Sequence, residues 1–114
     1  MLIVLSPAKR LDFSEPPVAV EPTLPRLTED VASLAKTAKR QTKADLRRLM
    51  GISDDLAQLN RERFQAFDPE ATDGTPAAFA FAGDVYQGLD ARSLDADALA
   101  FAQDRLRILS GLYG

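Results

Sequence analysis

Leu2, Ile3, Val4 and Leu5 form an unbroken apolar run without polar alternation, the pattern of a strand covered on both faces. Pro7 cannot donate to a ladder, so the strand ends in Ser6-Pro7-Ala8-Lys9. Pro16, Pro17, Pro22 and Pro25 then keep Ser14–Arg26 out of helix and predict an extended connection. From Thr28, read as an N-cap, the period changes. Val31, Leu34, Ala35 and Ala38 make one helical stripe, with Glu29 and Asp30 at its start and Lys36, Lys39 and Arg40 at its end. A second helix opens at Thr42, with Asp45 three residues on as a short capping box, and buries Leu46, Leu49 and Met50. Gly51 fits the left-handed residue that stops it. Ser53 caps a third helix that turns Leu56, Leu59 or Asn60, Phe64 and Phe67 inward and ends at Asp68-Pro69.

Beyond the polar loop Asp68–Pro76, Ala77–Ala82 (AAFAFA) reads as a second buried strand running into the turn Gly83-Asp84-Val85-Tyr86-Gln87-Gly88. Ser93 caps a last helix with Asp95 and Asp97 in its first turn. Its apolar line is Leu99, Ala102 and Leu106, widened by Ala98 and Phe101. Ile108 and Leu109 resume extended structure before Ser110-Gly111-Leu112-Tyr113-Gly114. A strand-then-glycine ending predicts an amino-terminal piece of something longer. The fold class is α/β, of the mixed α+β kind: a partial domain with a few buried strands and flanking helices.

The segment 42–67 resembles a helix-hairpin-helix, with Gly51, apolar Ile52 and the small Ala57 at the matching positions. In that motif a short turn offers backbone N–H groups to a nucleic-acid phosphate, and a helix N-terminus adds its dipole. Ser53 stands where a second glycine is usual, and Asp54 and Asp55 beside it would repel a phosphate unless they point away. An ordinary helical hairpin is the alternative. Charge sharpens the question. The chain carries a formal −3, yet Lys36–Arg63 holds eight cations and four carboxylates, a local +4.

The 114 residues, 46% hydrophobic and 27% charged, suit one small domain. No apolar run nears the roughly 20 residues of a membrane span. Cysteine and histidine are absent, which removes disulfides, Ser-His-Asp and Cys-His catalysis and the common zinc sites from these residues. No metal and no cofactor is expected, and the localisation expected is cytoplasmic.

LIVLSPAKRLDF at the start, FAGDVYQGLDA at Phe81–Ala91 and FAQDRLRILSGLYG at the end resemble, in order and spacing, the YaaA family of bacterial peroxide stress proteins. The resemblance covers the whole chain, but only about the first half of a full family member. It implies a cytosolic protein that limits unincorporated iron under hydrogen peroxide. It also implies a mixed α/β fold with a positively charged cleft and a helix-hairpin-helix, and binding to DNA. Residues 1–114 would then be the amino-terminal part of a single domain, lacking its carboxy-terminal half.

Two function classes follow. A non-enzymatic DNA-binding protein would hold phosphates, without regard to sequence, through Gly51, Ile52 and Ser53, with Lys9, Arg10, Lys43, Arg47 and Arg48 supplying charge. An enzyme acting on a nucleobase- or nucleotide-like small molecule would instead gather Ser6, Lys9, Asp84, Tyr86, Ser110 and Tyr113 in one cleft, since each follows an expected strand or sits at a glycine turn. Lys9 would hold an anion, Asp84 would take a proton, and the tyrosines would stack or donate.

Overall fold

The computed structural model describes every residue, Met1–Gly114. Its elements, in order, are β1 (Ile3–Leu5), α1 (Thr28–Lys39), α2 (Lys43–Met50), α3 (Asp54–Ala66), α4 (Ala77–Ala80), α5 (Asp84–Leu89), a 3₁₀ turn at Ala91–Ser93, α6 (Ala96–Arg105) and β2 (Leu106–Ile108). The class is mixed α/β. No helix is long and apolar enough to cross a membrane. The backbone forms two compact units, one of residues 1–24, 72–112 and 114, the other of 25–71 and 113.

The first unit is built on a two-stranded parallel sheet, with Ile3 opposite Leu106, Val4 opposite Arg107 and Leu5 opposite Ile108. Beyond β1 the chain folds back: Asp12 N–H donates to the Ala80 carbonyl and Ala82 N–H to that of Arg10, around a Leu11–Phe81 bridge. Phe79, Ala80, Tyr86 and Ala91 are its buried residues.

Three expectations change here. Ala77–Ala80 is a short helix and not a strand. Alanine favours helix over sheet, and the Pro76 carbonyl accepts from both Phe79 and Ala80 N–H (3.0 Å each). Only Phe81 of that run pairs in extended form. The last helix starts at Ala96, where Asp95 accepts from Ala98 N–H (2.8 Å), because Ser93 belongs to the preceding 3₁₀ turn and donates to the Asp90 carbonyl. Nor is the first strand covered on both faces: Ile3 is 43% and Val4 48% exposed.

In the second unit the three helices follow the sequence reading closely. The N-cap of α1 is Leu27, one residue ahead of Thr28, with no side-chain cap. Thr42 and Asp45 close a full capping box on α2, and Ser53 Oγ accepts from Leu56 N–H at the start of α3. Val31 and Ala35 of α1, Leu46 of α2 and Ala57 of α3 are buried. Two of these four, Ala35 and Ala57, bury only a methyl group each. The larger apolar residues expected inward, Leu34, Leu49, Met50, Leu56 and Leu59, are exposed. A core of this kind is thin.

Candidate functional site

Parallel strands end together, so β1 and β2 bring Ser6 and Ser110 to one edge. The Leu109 N–H donating to the Leu5 carbonyl (2.9 Å) continues the pairing to that point. Tyr86, on α5 and only 6% exposed, donates its hydroxyl to the Ser6 carbonyl at 2.5 Å and packs its ring 5.5 Å from that of Phe81. Burial raises its phenol above the ordinary value of 10.0, so the hydroxyl stays protonated and keeps donating. Gly83, at φ 122°, sits where the Ala8 methyl is 3.9 Å from the place a side chain would begin. Lys9 and Asp84, the chain neighbours of that contact, are both exposed. Ser110 Oγ accepts from Leu112 N–H (3.2 Å).

Ser6, Tyr86 and Ser110 are thus gathered at the carboxyl edge of the sheet, with Lys9 following the Ala8 that approaches Gly83 and Asp84 opening α5. Tyr113 belongs to the other unit, its ring edge-on to Phe67 at 6.4 Å. Tyr86 thus spends its hydroxyl on the strand end and its ring on Phe81.

Arg10 lines a cavity of about 220 Å3 together with Asp12, Phe81, Gln87, Asp90 and Arg92. Sequence reasoning missed Asp12 and Arg92. Arg92 donates to the Ser14 and Glu15 carbonyls and to Ser14 Oγ (2.8–3.2 Å), and lies 3.6 Å from the Asp12 carboxylate. Hydrogen bonds from Ser14 hold the Asp12 carboxyl below its usual range, and the guanidinium groups of Arg92 and Arg10 add to this. The Asp-x-Ser turn at residues 12–14 was readable as a local signal. The partner Arg92, nearly eighty residues away, was not.

The hairpin lies in the second unit. Gly51 adopts φ 62°, ψ 38° and its N–H returns to the Arg47 carbonyl (2.9 Å), ending α2 by the left-handed route. Ile52 and Ser53 N–H make no hydrogen bond within the chain, so the turn presents two unused donors ahead of the first turn of α3. Asp54 does not stand as a bare negative charge: Lys43 Nζ lies 2.5 Å and Arg47 Nη1 3.2 Å from its carboxylate. The Lys43 hydrogen bond is the main reason its carboxyl sits below the normal range. Arg48 pairs with Asp45 at 3.2 Å. All these pairs are solvent-exposed, so they screen one another without locking the side chains.

A family model described as "Peroxide stress protein YaaA" matches residues 1–114. The chain belongs to the YaaA family. Among its relatives, a UPF0246 protein of Phenylobacterium zucineum is 66% identical over 114 residues, all of this chain and 43% of that protein. One of Caulobacter vibrioides is 60% identical over 114 residues, covering 45% of its length. One of Roseobacter denitrificans is 60% identical over 116 residues, covering 44%. The chain therefore spans less than half the length of these relatives. The three segments LIVLSPAKRLDF, FAGDVYQGLDA and FAQDRLRILSGLYG supply, respectively, Ser6, the Gly83–Tyr86 clamp and Ser110 at one end of the sheet.

Proposed function

We propose that this chain carries the DNA-contacting part of a cytoplasmic peroxide stress protein that also limits unincorporated iron, and that it holds duplex phosphates without regard to sequence at the Gly51-Ile52-Ser53 turn. The reading is supported above all by the two unused amides of Ile52 and Ser53 beside left-handed Gly51, with the charge of Asp54 already matched by Lys43 and Arg47. A phosphate meeting those donors would also meet the positive end of α3. Lys43, Arg47 and Arg48 would exchange their carboxylate partners for phosphates. Lys9 and Arg10 belong to the other unit and are not needed for this contact.

The test is fluorescence anisotropy of a labelled DNA duplex over a salt series, with this chain and with the full-length Caulobacter vibrioides relative. Each cation that displaces a counterion contributes about 0.9 to the slope of log affinity against log salt. The double variant Arg47→Ala with Arg48→Ala is expected to lower that slope by about 1.8. An unchanged slope and affinity, with circular dichroism unchanged, would sink the proposal.

A second reading is favoured by a separate observation, the meeting of Ser6, Ser110 and the Tyr86 clamp at the carboxyl edge of a parallel sheet, where α/β folds bind small molecules. On this reading Lys9 holds an anionic group and Asp84 accepts a proton from a nucleobase- or nucleotide-like substrate. Calorimetric titration of the full-length relative with adenine, guanine and their 5′-monophosphates tests it. Absence of heat with all four ends it.

A further inference from the structure

Parallel sheets occur almost only where both faces are covered, and an unpaired edge is a template for a further strand. The pair β1–β2 is neither covered nor closed. Each strand has three residues, and neither outer edge is paired. On one face Ile3, Leu5 and Leu106 look toward α5 and α6, but an apolar cavity of about 270 Å3 remains between them, bounded by Val85, Leu89 and Phe101. Phe101 is 59% and Val85 54% exposed. Leu2 and Val4, whose alternation puts them on the opposite face from Ile3 and Leu5, are also exposed. Clusters of this kind are contact surfaces and seldom left to water.

We infer that this sheet is completed by the polypeptide that the full-length relatives carry outside the matched span. It adds at least one strand to an open edge of β1–β2 and an apolar segment to the groove between Ile3, Val85 and Phe101. The matched span is only 43–45% of the relatives, so more than half of each is available as occupant. A second copy of this chain is a poorer occupant. It would offer only another three-residue edge, which supplies few ladder hydrogen bonds. The inference stands whether or not the hairpin binds DNA.

Hydrogen exchange compares this chain with the intact Caulobacter vibrioides relative, read at Leu2–Leu5 and Leu106–Ile108 and at the positions aligned with them. Slow exchange in the relative and fast exchange in this chain is the expected result. An aspartate at the position aligned with Phe101 is expected to lower Tm of the relative by about 6 °C or more, since it buries a charge. Phe101→Asp in this chain shifts Tm by no more than a degree or two. Fast exchange in both proteins would overturn the inference, as would slow exchange in both. In the second case, gel filtration showing a dimer names a second copy as the occupant, and a monomer means that the sheet is stable uncovered.

Discussion

Asp54→Asn is the sharpest probe of the hairpin, because a purely structural role and a phosphate-binding role give it opposite expectations. Asp54 holds both Lys43 and Arg47, so the three side chains together carry a single positive charge. Asparagine keeps the size and polarity at the first position of α3 but leaves both cations unmatched, raising the local charge by one. If phosphates bind at this turn, the variant binds DNA more tightly, and its salt slope steepens by about 0.9. Between roughly 50 and 200 mM salt that is about a 3.5-fold larger loss of affinity than the parent shows. The assay is the same duplex anisotropy series, run with Arg47→Ala/Arg48→Ala as the variant of opposite sign. Folding changes little, because exposed ion pairs contribute little to stability. Binding that is unchanged or weaker in Asp54→Asn, with unchanged helicity, would refute the reasoning and leave the hairpin as a packing element.

Gly51→Ala meets no atom within 4 Å of the added methyl, so its whole cost is the left-handed backbone, about 1–2 kcal/mol, seen as a fall in Tm of several degrees; Gly51→Asn loses less. Tyr86→Phe removes the bond to the Ser6 carbonyl while keeping the ring, and is expected to cost about 1 kcal/mol in denaturant unfolding and to speed exchange at the end of β1. Asp12, Asp45 and Asp54 all ionise below their unfolded value of 3.8, chiefly through hydrogen bonds from Ser14, Thr42 and Lys43 respectively. Their contribution is complete above pH 3.8 and is lost as pH falls through the lower folded values. Acid titration followed by circular dichroism should place this loss below pH 3.8, and Asp45→Asn should shrink it. Tyr86 acts in the other direction: its contribution is present below pH 10.0 and is lost as pH rises through the higher folded value.

The helical unit was legible because its signals are local. Thr42 with Asp45, Gly51 and Ser53 act within four residues of themselves, and each occupies the expected cap. The strand expected at Ala77–Ala82 failed for a related reason: alternating Ala and Phe suits a buried strand by hydropathy, while Pro76 and the alanines favour a helical turn by backbone preference. The sequence reading placed Ser6 and Ser110 correctly just past strand ends, whereas Tyr86, expected in a glycine turn, lies within α5. It could not anticipate that Tyr86 spends its hydroxyl on the Ser6 carbonyl, or that Arg92 reaches Ser14, because both contacts join residues about eighty positions apart. The bareness of β1 was likewise hidden. An apolar run announces that a strand is to be covered, and is silent on which chain segment covers it.

That difference in range separates the two functional readings experimentally. The buried residues Val31, Ala35, Leu46 and Ala57 all lie between residues 31 and 57, so the hairpin draws its core from nearby sequence. The Ser6–Ser110 edge depends on β1 meeting β2 across some hundred residues, on a sheet with exposed faces and unpaired edges. DNA binding at the Gly51 turn should therefore be present in this chain as it stands. Its failure here, with α2 and α3 folded, counts directly against the hairpin. Small-molecule binding at the carboxyl edge requires the sheet to be held. Failure of this chain to bind a nucleobase would carry no weight until the full-length relative had failed too. Binding of DNA by this chain, with binding of a small ligand only by the relative, would mean that the Gly51 turn and the Ser6–Ser110 edge serve two functions and are not alternatives for one.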